Sequence, residues 1–146
     1  MKTYQHTQPG TTIVRWMIVM FLVFAIGGAF VHPLIVASII IAVTAWVFRS
    51  MTIEISETEL IWCFGSGFLR KRVPMSEVAS AEPIRIKFWY GWGIHYTPRG
   101  LLYNVSGYDA VVITLRNGKQ FCLGTDEPEE LAKRLTADYN SSSRSA

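Results

Sequence analysis

Few residues in this 146-residue chain have the type and spacing to do chemistry. The three histidines, His6, His32 and His95, stand far apart, and Cys63 and Cys122 lack the close pairing of a metal-binding motif. Both cysteines lie inside apolar runs and are expected as buried free thiols in a reducing compartment. His95 and Asp109 can be drawn as an acid–base pair, but no nucleophile joins them. No enzymatic reaction is therefore expected, and no metal or other cofactor. Gly91, Gly93, Gly100 and Gly107 lie outside any strand–loop–helix unit, and no Lys-Ser/Thr follows them. They read as turns and bulges rather than a nucleotide loop.

The chemistry that remains is that of contact. Residues Phe88–Ile94 read Phe-Trp-Tyr-Gly-Trp-Gly-Ile, four aromatics within five residues, flanked by Arg85, Lys87 and Arg99. One strand cannot bury them all on one side, because alternate residues face opposite ways. Three readings stay open for Trp89, Tyr90, Trp92 and the three cations. The rings fill the core, or they rest on an anionic lipid surface at head-group depth, or they line a groove for a protein partner. Arg70-Lys71-Arg72 is a second basic cluster. On a strand, Arg70 and Arg72 share one face and Lys71 takes the other, suiting either phospholipid contact or a solvated surface.

These groups are positioned by two regions of opposite character. From Trp16 to Phe48 the chain runs 33 residues with no ionisable side chain except His32. All 11 acidic residues lie beyond residue 50, as do 11 of the 14 basic ones, so that region is neutral. The net charge of +3 comes from Lys2, Arg15 and Arg49 beside the apolar block. A neutral domain argues against nucleic-acid binding.

One helix through the block would be about 50 Å long, against a hydrocarbon core of about 30 Å. Gly27-Gly28, His32 and Pro33 interrupt it at the centre, and proline disfavours helical geometry in the residue before it. The expectation is a transmembrane helical hairpin over residues 13–49, with segments Ile13–Val31 and Pro33–Phe48 and a turn around Val31–Pro33. Both ends of a hairpin leave the membrane on one side. That side carries Lys2, Arg15, Arg49 and Arg70-Lys71-Arg72, which the positive-inside bias assigns to the cytoplasm. Arg15, Trp16, Trp46 and Arg49 are the expected interface anchors. Residues 1–12 then form an N-terminal cytoplasmic segment, and the localisation is a multi-pass protein of the inner (cytoplasmic) membrane. A cleaved signal peptide and a re-entrant hairpin are the competing readings of the same residues.

Beyond residue 50 short alternating runs separated by turn residues indicate strands. They are Thr52–Ser56, Leu60–Phe64, Phe68–Val73, Val78–Ile86 with alternation carried on to Tyr90, Leu101–Val105, Ala110–Leu115 and Lys119–Leu123. The turn Asn117-Gly118 gives the last hairpin the clearest signal. Asp126 and Glu129 fit a capping box ahead of a helix over Glu127–Tyr139, with Leu131, Leu135 and Tyr139 on one face. Residues 140–146 read as a disordered tail.

About seven strands and one C-terminal helix form the element order of a pleckstrin-homology-like (PH-like) β-barrel or sandwich, here over residues 50–139. The runs Ile55–Leu60 and Arg70–Val78 resemble the first half of bacterial PH-like domains. Gly91–Ile94, Tyr103–Gly107 and Gly124–Leu131 are similar to a group of small bacterial membrane proteins of that kind. The resemblance implies an α+β membrane protein in which a membrane hairpin precedes the domain. It rests on turn and cap chemistry and carries no ligand with it.

The expected function is a non-catalytic, membrane-anchored interaction module that holds the PH-like domain at the cytoplasmic leaflet. Its expected partners are membrane lipids and a protein partner or a second copy of the chain, with no nucleic acid. The alternative is a structural or assembly subunit that oligomerises through the hairpin or the barrel.

Overall fold

Strict alternation builds the first sheet of the computed structural model, which describes residues 2–28 and 33–142. Strands β2 (Ser50–Ser56) and β3 (Glu59–Phe64) bury every second side chain: Met51, Ile53 and Ile55 on one, Leu60, Trp62 and Phe64 on the other. A period of two turns each set toward a single face. β4 (Leu69–Pro74) pairs with β3, and β1 (Lys2–Pro9) pairs with β2, giving the antiparallel order β1-β2-β3-β4. The sequence pattern does not announce β1. Its segment is polar, and pairing from Tyr4↔Ile55 to Pro9↔Ser50 holds it rather than an apolar face of its own.

The second sheet contains β5 (Val78–Arg85), β6 (Gly93–Thr97), β7 (Gly100–Asn104), β8 (Asp109–Leu115) and β9 (Gln120–Gly124), in the order β5-β8-β9-β7-β6. All pairings are antiparallel except β7 with β9. Nine strands among the described residues replace the expected seven; β1 and β6 are the additions. The alternation expected to run on to Tyr90 also breaks. β5 stops at Arg85, and Phe88–Tyr90 form one turn of 3-10 helix. Two backbone bonds close that turn, Tyr90 N–H to the Lys87 carbonyl and Gly91 N–H to the Phe88 carbonyl. Gly91 leaves it at φ +67, a conformation an L side chain resists.

The core fills the space between the sheets. Trp62 stacks on Phe121 at 5.0 Å and meets Tyr103 edge-on at 5.2 Å. Val111, Ile113 and Leu123 are fully buried with them. Helix α3 (Pro128–Ser142) adds Leu131 and Leu135 to the same cluster, lying against β5 and β8. The expected capping box does not form. The Thr125 hydroxyl accepts the Glu127 N–H, while the Asp126 carboxylate is drawn to His6, 2.6 Å away. The side chain of Tyr139 lies outside the described part; α3 itself runs to Ser142, into the segment expected as a tail, and residues 143–146 are outside the described residues.

Between β1 and β2 the chain forms two apolar helices, α1 (Thr11–Gly28) and α2 (Pro33–Val47). The expected turn around Val31–Pro33 falls largely on residues 29–32, outside the described residues, and Pro33 opens α2 as the second segment was expected to begin. A first-turn proline loses nothing, because its N–H would be unpaired there. The helices contact each other, Gly27 against Leu34 and Gly28 against Ile35 at one end. At the other end Gly10 N–H donates to the Arg49 carbonyl at 2.7 Å, continuing the β1–β2 ladder. Ile13, Met17, Val47 and Phe48 pack on the core, which ties the helix bases to the sheets. The fold is thus α+β: two sheets, a C-terminal helix, and an apolar helix pair inserted between neighbouring strands.

Candidate functional site

Helix α1 is long and apolar enough to cross a membrane; α2 is a shorter apolar helix. From Trp16 to Ile26, and again from Ile35 to Trp46, large apolar side chains stand in solvent, with Val23 at 59% and Ile40 at 60% exposure. Exposed apolar surface on this scale is the mark of an interaction with lipid or protein. Arg49 anchors the base of α2. Its guanidinium lies 5.7 Å from the centre of the Trp46 ring and donates to the Ser66 hydroxyl. Arg15 and Trp16 are exposed at the base of α1.

Two loops of the sheet domain reach that base. The first is the β3–β4 turn, where Gly65 N–H donates to the Ser50 carbonyl and an added Cβ would sit 2.7 Å from the Val47 carbonyl. Phe68 follows it and is 76% exposed. The second is the loop after β7, where the Ser106 hydroxyl lies 3.0 Å from that of Thr12, in the first turn of α1. The same loop holds the aromatic run. The Tyr108 carbonyl accepts the Ile86 N–H, and the Tyr108 ring lies 6.2 Å from that of Trp92. The residues on either side of Phe88 and Trp89 are thus tied to the loop that touches α1, and both of those rings are exposed.

The six residues singled out there divide. Trp92 packs against the main core, and its buried indole nitrogen has no hydrogen-bond partner among the described residues. Tyr90 packs on a second, smaller cluster of Ile84, Ile86, Leu102, Ala110, Val112 and Cys122. Trp89 is exposed, in contact with Phe88, with the Lys87 ammonium 4.9 Å from its ring centre. Arg85, Lys87, Arg99 and Tyr90 line one cavity of about 350 Å³ together with Ile84, Ile86, Thr97, Pro98 and Cys122. Burial pushes the Cys122 thiol above its ordinary pKa, against smaller opposing effects of Thr97 and Arg99.

The other basic cluster lies elsewhere. β4 is an edge strand; its register sets Arg70 opposite Cys63, Lys71 opposite Trp62 and Arg72 opposite Ile61. All three cations are exposed, and Arg72 lies 4.0 Å from Glu59. Cys63 is only partly buried, which corrects its expected burial: it faces outward with Ile61, while Trp62 and Phe64 face the core. His95 does not meet Asp109; its Nε2 lies 2.6 Å from the Trp92 carbonyl. Among the described residues no group of three or more His, Cys, Asp or Glu is placed to hold a metal ion.

Some contacts escaped the sequence. His6 bridges Asp126 and Glu127, and the Tyr4 hydroxyl donates to Glu127, so β1 is tied to the start of α3. Burial first and Glu127 second raise the Tyr4 phenol well above its ordinary range. Phe68 carried no signal beyond its apolarity. The small cluster had one: Ala110-Val111-Val112-Ile113 is apolar without alternation, the pattern of a strand buried on both faces. Compared with protein-family models, with curated proteins and with solved structures, the chain matches none of them.

Proposed function

We propose that this protein is a non-catalytic interaction module of the cytoplasmic membrane. In this reading α1 and α2 form a hairpin in the bilayer, and the sheet domain is PH-like and rests against the inner leaflet to engage lipid or a protein partner. Two sheets closed by a C-terminal helix support the PH-like assignment. The lysine and arginine residues near the helix bases support a cytoplasmic domain.

One observation carries the reading. The exposed apolar helices leave the domain beside the turn that carries exposed Phe68, and the loop that touches α1 also holds both flanks of the turn with exposed Phe88 and Trp89. Rings beside cations suit the head-group layer, where each cation contributes about 1 kcal/mol on an anionic leaflet. Anchoring also raises the effective concentration of any weak contact at the surface.

The test uses the full chain in nanodiscs. A Trp89→Cys variant with Cys63 and Cys122 replaced by alanine carries an environment-sensitive fluorophore at position 89. Its emission is expected to shift to the blue and to be quenched by spin-labelled lipids. Emission indistinguishable from a label at Lys119, in the opposite turn of the sheet, would defeat the membrane-apposed reading.

A further inference from the structure

We propose that the outer face of the second sheet is a binding site for an anionic amphiphile, a phosphate or carboxylate head on an aliphatic chain. This rests on reading the domain as a binding module, and names what it binds. β8 and β9 bury side chains on both faces: Val111, Ile113 and Leu123 toward the main core, Ala110, Val112 and Cys122 away from it. Among the described residues, Tyr90 from the 3-10 turn packs on the outer cluster and the β6–β7 turn borders it, and the space they line is the cavity of about 350 Å³. That size lies at the lower end of small-molecule sites, roughly 300–1,000 Å³.

The lining sets the ligand class. Ile84, Ile86 and Cys122 give an apolar wall, and Arg85, Lys87 and Arg99 are the only charged residues on it. Among the described residues none of these three is paired with a carboxylate. Asp109, the cross-strand neighbour of Arg85, is not part of the lining. Three unneutralised cations over an apolar wall complement a negative head on a hydrocarbon tail, and charge-assisted hydrogen bonds are the strong ones. Tyr90, Thr97 and Pro98 complete the lining, with the Thr97 hydroxyl holding the turn by donating to the Gly100 carbonyl and accepting the Arg99 N–H.

The test is native mass spectrometry of the full chain released from phosphatidylcholine nanodiscs after adding dodecyl phosphate. A single adduct is expected, at least tenfold weaker with dodecanol and absent with inorganic phosphate. Arg85→Ala/Arg99→Ala should lose tenfold or more in affinity, since each removes a charge-assisted contact. Ile84→Trp, which fills the cavity, should lose the adduct, while the surface double variant controls for folding. Nanodiscs containing phosphatidic acid separate the sources: an adduct abolished by the same variants assigns the head group to a bilayer lipid. Equal adducts with dodecanol and dodecyl phosphate, or adducts indifferent to both variants, would overturn the site. Fluorescence at position 89 reads membrane apposition separately, so the two proposals fail independently.

Discussion

Cys63 and Cys122 sit one strand face apart in kind: the first looks outward from β3, the second lies buried against the small cluster with its thiol held toward the protonated form. Thiolate is the reactive species, so iodoacetamide at pH 8 should modify Cys63 well before Cys122. Peptide mapping after partial alkylation checks this, and equal rates would contradict the buried wall of the cavity. Tyr4 gives a pH dependence. Its folded pKa is raised, so its contribution to stability is complete below the unfolded value of about 10 and is lost as pH rises above it. Thermal unfolding should therefore worsen above about pH 10 in the parent and less steeply in Tyr4→Phe. At this scale the sequence was informative about types and poor about neighbours. The Arg85, Lys87 and Arg99 cluster was visible because its members flank one run, whereas His6 with Asp126 joins residues whose separation no local pattern encodes.

The elements differ in how far local pattern specifies them. β2 and β3 alternate cleanly, the Asn117-Gly118 turn is closed by Gly118 N–H to the Leu115 carbonyl, and α3 follows its leucine period. β1 and β6 are edge strands whose hydrogen bonds, not their side chains, define them, so periodicity could not find them. The aromatic stretch misled for a related reason: Gly91 and two backbone bonds close a 3-10 turn where alternation alone would continue a strand. Two variants test elements. Leu135→Ala removes a fully buried contact of α3 and should cost about 2–5 kcal/mol in chemical denaturation. Gly65→Ala meets both a positive φ of 55° and the Val47 carbonyl, and should cost at least about 1 kcal/mol. A neutral Gly65→Ala would mean that the β3–β4 turn does not bear on α2.

For the whole molecule, the apolar block and the break near its centre are legible because composition marks the first and Gly27-Gly28 with Pro33 mark the second. The insertion point is not. Composition places the block ahead of the domain, yet β1 and β2 enclose it, so both helix bases are clamped in one sheet and joined to the core through Ile13 and Phe48. That clamp couples the domain's orientation to the helices and keeps the β3–β4 turn, with Phe68, at their base. The most direct test of this account is the accessibility of spin labels at Met20 and Ile40, near the midpoints of α1 and α2, in the full chain in nanodiscs. The account predicts both labels to be open to oxygen and shielded from a water-soluble nickel complex, with labels at Trp16 and Trp46 intermediate. Water-like nickel accessibility at either midpoint would contradict it.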